Sequence, residues 1–240
     1  MVVLLCALEE AGMKTLITGN GRSGTCWMSA IIRKTGLHDS PCPFSEDRGL
    51  YIMGLFDGYL GKLCIENRGV TVEMFEQLLK DHEDLNIIWC FRNPISTALS
   101  KVNRGRNIET GEVTAIDGTP EGACEWVRKS VKMYSELKYK FPNNLLSVKM
   151  ENLILNGINE IKRILLFLGY ETDDEGAQLL LESYNETWNL AHKERYKTID
   201  KSQAYIADNI ETSFDGYFAD KPEWVKYIKE NLADLVEMYK

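Results

Sequence analysis

Leu16-Ile17-Thr18-Gly19-Asn20-Gly21-Arg22-Ser23-Gly24-Thr25-Cys26-Trp27 joins a short apolar run to a glycine-rich turn and then to the start of an amphipathic helix. Glycines let consecutive backbone N–H groups converge, and the following helix adds its N-terminal donors and the positive end of its dipole. An anionic group suits such a turn. Gly19 and Gly24 have the spacing of the glycines in G-x-x-x-x-G-K-[ST], but Thr25 follows Gly24 directly, so the lysine of that nucleotide-binding pattern is missing. Arg22 is the cation inside the turn. Taken alone, the segment also fits a plain strand-to-helix turn whose glycines serve backbone geometry.

Working outward, the helix after the turn is expected over Ser23 to Thr35, burying Trp27, Met28, Ile31 and Ile32 at helical spacing and stopping at Gly36. Strand-like runs at Lys14–Thr18, Lys62–Ile65, Asn86–Phe91 and Leu145–Lys149 alternate with helical patterns. That alternation predicts an α/β fold, a central parallel sheet flanked by helices with a P-loop-like turn after the first strand. Thr119 before Pro120 and Glu121 marks a further helix start, as does Asp220 with Glu223 around Pro222, and both helices are expected to run long. Ile158, Ile161, Leu165 and Leu168 form one apolar stripe ahead of Gly169. Residues 103–118 read as a long loop of the kind that forms lids or is disordered. Length favours a single domain over residues 1–240, with Met13 as an alternative start that would leave 1–12 as an extension.

Composition narrows the function. The formal charge of −8 argues against a general nucleic-acid surface, so phosphate binding has to be local. Six cysteines (Cys6, Cys26, Cys42, Cys64, Cys90, Cys124) show no C-x-x-C pair, which suits reduced thiols in a cytoplasmic protein and gives no zinc pattern. No run reaches the length of a membrane span, and the apolar Val2–Leu8 stretch meets Glu9 and Glu10 without a basic leader.

A second element sharpens the turn's meaning. The run Ile87-Ile88-Trp89-Cys90-Phe91 leads straight into Arg92-Asn93-Pro94, and Ser100 lies eight residues after Arg92 on the helix that begins near Pro94. In open α/β sheets ligands bind beyond the carboxyl ends of the strands, so Arg22 and Arg92 are both expected on that rim. There a guanidinium and a hydroxyl suit a second phosphate.

At these residues the sequence resembles the sulfotransferases that use 3′-phosphoadenosine-5′-phosphosulfate (PAPS). Gly21 to Trp27 is similar to that family's 5′-phosphosulfate loop, and Phe91-Arg92-Asn93-Pro94 through Ser100 to its 3′-phosphate motif. Val148-Lys149-Met150-Glu151-Asn152-Leu153, with Ile161 through Phe167-Leu168-Gly169, resembles its strand ending in Tyr-Glu-Asp-Leu and its helix ending in Phe-Leu-Gly. The resemblance implies that the backbone of Ser23, Gly24, Thr25 and Cys26 and the Thr25 hydroxyl hold the 5′-phosphosulfate. It also implies that Trp27 stacks on adenine and that Arg92 and Ser100 take the 3′-phosphate. Arg22 stands where many members have lysine.

The chain departs from the pattern in places. Cys26 replaces a common Thr or Ser, and Met150 and Asn152 replace the tyrosine and aspartate of Tyr-Glu-Asp-Leu. The basic Arg-Lys-Gly-x-x-Gly segment is absent, with Lys193, Arg195, Lys197 and Lys201 as substitutes or as a solvated charged loop.

The implied reaction moves a sulfuryl group from PAPS to a hydroxyl or amine of a small-molecule or saccharide acceptor, in line and without a metal. Charge develops on the leaving oxygen, and Arg22 is the residue placed to meet it. Arginine stays protonated, so Arg22 acts through charge and hydrogen bonds. For the acceptor's base the sequence offers His38 and Glu46, with Asp39, Asp47 and Glu66 behind them; His82 and His192 sit in charged helical surroundings. Two other readings stand beside this one. A P-loop nucleotide kinase or hydrolase needs a metal carboxylate, where this chain's strand ends in Arg92, and an inactive nucleotide-binding module would share the fold. The acceptor and the oligomeric state are not encoded in these motifs.

Overall fold

The computed structural model describes residues 6–7, 14–21, 23–36, 60–64, 70–104, 118–182 and 221–239. They form two compact units, one drawn from residues 1–91 and 132–190, the other from 92–131 and 191–240.

The first unit is built on a four-stranded parallel sheet in the order β3-β2-β4-β5. Its strands are β2 (Lys14–Gly19), β3 (Leu60–Cys64), β4 (Leu85–Phe91) and β5 (Leu145–Lys149). Each pairing is parallel, with Gly19 level with Cys64 and Cys90, and Cys90 level with Val148. Strands covered on both faces read as continuous apolar runs, which is why these four segments are visible in the sequence. Leu16, Ile17, Leu63, Ile87, Ile88 and Trp89 are fully buried. Trp89 packs between Phe75 and Tyr134, with ring centroids at 5.6 and 5.8 Å, and Phe91 meets Tyr134 edge-on at 5.0 Å. A short antiparallel pair joins β1 (Cys6–Ala7) to β6 (Tyr170–Glu171).

Helix α1 runs Thr25–Lys34 and buries Trp27, Met28, Ile31 and Ile32, the stripe expected from its spacing. It ends at Thr35, and Gly36 adopts the left-handed conformation. Helix α2 (Val72–Asp81) starts at Thr71, whose hydroxyl accepts from the Met74 N–H. Helices α5 (Met150–Leu155), α6 (Gly157–Phe167) and α7 (174–182) complete the unit. In α6, Ile161, Ile164 and Leu165 are buried, and Leu168 follows at its C-cap.

The second unit is helical. Helix α3 (Pro94–Arg104), the first part of α4 (Pro120–Lys140), α8 (Pro222–Asn231) and α9 (Ala233–Tyr239) enclose Leu99, Val102, Val127, Ile228 and Leu232. Thr119 caps α4 through its hydroxyl, 3.1 Å from the Gly122 N–H, as its sequence position predicts. The last helix departs from expectation. It starts with Lys221 as N-cap rather than Asp220, which lies outside the described residues, and it breaks at Leu232 instead of running long. Leu232 is fully buried, and the chain turns there to keep it in the core.

Candidate functional site

The turn after β2 is shaped by three departures from ordinary backbone. Gly19 closes the strand with φ +132°, a region that side chains rarely adopt, and a Cβ there would stand 2.3 Å from the Cys90 carbonyl oxygen. The turn thus leaves the sheet pressed against the end of β4. Next, the N–H and the hydroxyl of Ser23 both donate to the Asn20 carbonyl, at 3.1 and 2.5 Å. Finally, Gly24 takes the left-handed conformation, φ 92° and ψ 12°, as N-cap of α1.

From Gly24 onward the geometry favours a negative charge. The Gly24 carbonyl accepts the first helical bond, from the Met28 N–H at 2.9 Å. Gly24 has no side chain to cap the helix, and the first turn carries no acidic residue, so the positive end of α1 is not offset by either. Arg33 and Lys34 sit in the last turn, where cations complement the dipole. Ser23, Thr25 and Trp27 are buried at 2, 3 and 7% exposure, whereas Gly24 and Cys26 are partly exposed. The surface that the turn offers is therefore the Gly24 and Cys26 side. Ser23, expected to lend its backbone N–H to a ligand, uses that donor and its hydroxyl proton inside the turn.

Beneath the turn runs a narrow, largely apolar crevice lined by Ser23, Gly24, Trp27, Met28, Cys90, Val148, Met150 and Leu153. Trp27 packs into it and shows little face to solvent. Among the described residues, no group of His, Cys, Asp and Glu is placed to hold a metal ion, and no helix is long and apolar enough to cross a membrane.

In the second unit, Arg92 begins a tightly held corner. The Asn93 side chain accepts the Ser96 N–H at 3.1 Å, and its carbonyl accepts the Thr97 N–H at 2.9 Å. The Thr97 hydroxyl donates to the Arg92 carbonyl at 3.4 Å. Asn93 thus caps α3 and fixes the backbone that presents Arg92, which is half-buried. Ser100 is 7% exposed, and its neighbour Lys101 is 1% exposed, a rare environment for an ammonium.

Several sequence-derived candidates lie outside the described residues: Arg22, His38, Glu46, Asp39, Asp47, Glu66 and His192, with the basic set Lys193, Arg195, Lys197 and Lys201. So do residues 105–117 of the expected lid loop. His82 is described, and it is the C-cap of α2.

Residues 62–174 match a protein-family model described as the sulfotransferase family. The match takes in Arg92, Ser100 and the Met150–Leu168 stretch, and it begins after the glycine-rich turn. Solved structures agree on the fold. Mouse sulfotransferase SULT7A1 complexed with PAP superposes with TM-score 0.51 at 17% identity, covering 72% of this chain and 63% of that one. Retinol dehydratase bound to androsterone and inactive cofactor PAP gives TM-score 0.57 at 15% identity, over 95% of this chain and 82% of that one. Its complex with retinol and PAP gives 0.58 at 15%, over 95% and 83%. The chain spans less than two thirds of the mouse enzyme's length. No curated protein sequence matches the chain significantly. The sulfotransferase fold is thereby the P-loop-like α/β architecture described above.

Proposed function

We propose that this chain is a PAPS-dependent sulfotransferase that moves a sulfuryl group to a hydroxyl or amine of a small-molecule or saccharide acceptor. The observation that carries the reading is the turn itself: a left-handed Gly24 at an N-cap without a capping side chain, in a chain whose residues 62–174 match a sulfotransferase-family model. A side chain at Gly24 would be strained at its φ of +92°, which fits a place where backbone must approach an anion closely.

In this reading the N–H groups of Gly24, Thr25 and Cys26 bind the 5′-phosphosulfate, with the Thr25 hydroxyl as a further contact. Ser23 shapes the turn. Cys26 lacks the hydroxyl common at its position, and its backbone N–H carries the contact instead. Arg92 and Ser100 take the 3′-phosphate, where a planar guanidinium makes paired hydrogen bonds to phosphate oxygens. Trp27 lies along the adenine side. PAPS supplies an activated sulfuryl group whose departure leaves negative charge on a phosphate oxygen. Arg22 meets that charge, and the reaction needs no metal. His38 or Glu46 takes the acceptor's proton. Acceptors of the kind named for the retinol dehydratase complexes, apolar alcohols, are the first to try. We place the protein in the reducing cytoplasm, in keeping with Cys26, Cys90 and Cys124, which form no disulfide among the described residues.

The test is calorimetric binding of PAP and of adenosine 5′-phosphate, followed by labelled sulfate transfer from PAPS to an acceptor panel. Arg92→Ala should weaken PAP by about tenfold or more while leaving adenosine 5′-phosphate unchanged, because a charge-assisted bond to the 3′-phosphate is lost. Arg22→Ala should bind PAP yet lose about 10²–10³ in transfer rate. Wild-type protein that ignores PAP, or an Arg92→Ala variant with an unaltered preference for it, would sink the reading.

A further inference from the structure

The central sheet ends at β5: among the described residues, β4 pairs with it on one side and no strand pairs with it on the other. An edge strand offers a row of backbone groups to any extended chain that reaches it, and an unguarded row invites pairing between copies. In β5 that row can be followed residue by residue.

In a parallel ladder a residue directs its N–H and its C=O to the same neighbour, and the next residue directs both the other way. The Ile87 N–H donates to the Asn144 carbonyl at 2.7 Å, while Ile87 is level with Leu145 and Trp89 with Ser147. Asn144, Leu146 and Val148 therefore serve β4, and Leu145, Ser147 and Lys149 face outward. Each outward carbonyl has a partner. The Nζ of Lys138, in the last turn of α4, donates to the Leu145 carbonyl at 2.6 Å and to the Pro142 carbonyl at 2.6 Å. The Nη2 of Arg163, on α6, donates to the Ser147 carbonyl at 2.6 Å. Lys149 is the N-cap of α5, a position whose carbonyl accepts the first bond of its own helix.

Arg163 is itself anchored. Its Nε and Nη2 donate to the two carboxylate oxygens of Glu160, at 2.8 and 2.6 Å, and Glu160 is 6% exposed. The planar guanidinium thus ties a buried carboxylate on α6 to the backbone of β5. Behind these two cations the strand is apolar. Leu145, Leu146 and Val148 leave it without a charge until Lys149, a composition that favours strand pairing when nothing blocks it.

We propose that Lys138 and Arg163 close the outer edge of β5 against a second copy of this chain, whose own β5 is the strand that would add. Two copies related by a two-fold axis bring the two β5 edges together antiparallel, so one self-complementary surface is enough. The outward N–H groups of one copy then bond the Leu145 and Ser147 carbonyls of the other. While Lys138 and Arg163 hold those carbonyls, an incoming strand finds no acceptors and meets two positive charges.

Arg163→Met alone would strand the buried Glu160 carboxylate, so the edge-opening variant combines Lys138→Met, Arg163→Met and Glu160→Gln. Losing two cations and one anion moves the formal charge from −8 to −9, which strengthens repulsion between copies, so any association gained does not come from weaker charge. The control combines Lys132→Met, Glu136→Gln and Lys226→Met, the same replacements at solvent-exposed ion pairs. Sedimentation equilibrium over a concentration series, well below the melting temperature, reads self-association against wild type. The edge-opening variant should associate at least about tenfold more tightly and the control within about twofold, because each backbone hydrogen bond gained contributes a factor of about 2–12 and a two-fold pairing makes several. Adding Ser147→Pro to the edge-opening variant removes an outward N–H at no cost to the bonds with β4, and it should return association to the wild-type level. An edge-opening variant that associates no more than the control, or whose association Ser147→Pro leaves unchanged, overturns the proposal. If the triple variant does not fold, Lys138→Met, which leaves no buried charge behind, opens the Leu145 carbonyl alone and is read in the same way with and without Ser147→Pro.

Discussion

Replacing Gly19 by alanine puts the junction of sheet and turn under direct test. Two costs add. The backbone at φ +132° lies in a region left almost wholly to glycine, which costs an alanine about 1–3 kcal/mol. The new Cβ would also stand 2.3 Å from the Cys90 carbonyl oxygen, a backbone atom bound into the central sheet, so β4 or the turn must shift. Forcing an extra carbon into a packed region costs about another 1–3 kcal/mol. Gly36→Ala is the matched control. Gly36 is also left-handed, φ +73°, but nothing among the described residues lies within 4 Å of its would-be Cβ, so the conformational cost of about 1 kcal/mol is the one that applies. The difference, centred on about 3 kcal/mol, corresponds to a melting temperature roughly 6–12 °C lower for Gly19→Ala than for Gly36→Ala in a chain of this size. Thermal unfolding followed by circular dichroism reads it directly. Two variants melting within about 2 °C of each other would refute the claim that the turn is pressed against β4.

Other consequences can be measured without a substrate. Arg128 donates to both carboxylate oxygens of Asp234, at 2.9 and 2.7 Å, and to the Asn231 carbonyl, clasping α4 to the α8–α9 corner. Its hydrogen bonds hold the Asp234 carboxyl below the usual range. A depressed carboxylate contributes stability above its unfolded pKa and loses it as pH falls through the folded one. The melting difference between wild type and Arg128→Ala should therefore be largest at neutral pH and shrink as pH falls below about 4 through the depressed folded pKa, towards what the Asn231 carbonyl bond alone contributes; a difference that does not shrink with acid would refute it. Burial pushes the Cys124 thiol up to about 11. The unfolded chain then loses this proton first, so stability falls from about pH 9 towards that value, and Cys124→Ala should flatten that alkaline slope. An unchanged slope would mean that Cys124 does not cause it. At mildly alkaline pH an alkylating reagent should reach Cys26, which is partly exposed, before the buried Cys90 and Cys124.

The sheet was legible in the sequence because parallel strands are apolar along their whole length. Leu145–Lys149 was read to the residue, and the other three strands to within a residue or two at each end. Thr119, Pro120 and Gly36 marked helix ends through local chemistry, which needs no tertiary information. The break at Leu232 was not legible. Nothing in the local sequence distinguishes a helix that continues from one that bends to bury a leucine, since the core that attracts Leu232 comes from α3 and α4. The division into two units is hidden for a related reason: the second gathers segments that are far apart in the chain.

The turn shows where motif reading stops short of geometry. A serine in a glycine-rich phosphate pattern reads as a ligand, yet the donors of Ser23 face the Asn20 carbonyl, and that engagement gives the turn its shape. In the proposed reading this explains how the turn does without a hydroxyl at residue 26: with its shape set by Ser23, the part that would face the anion can be backbone, whose N–H groups are present whatever side chain residue 26 carries. Substitutions elsewhere in the turn that spare Ser23 should then be better tolerated than substitutions at Ser23 itself.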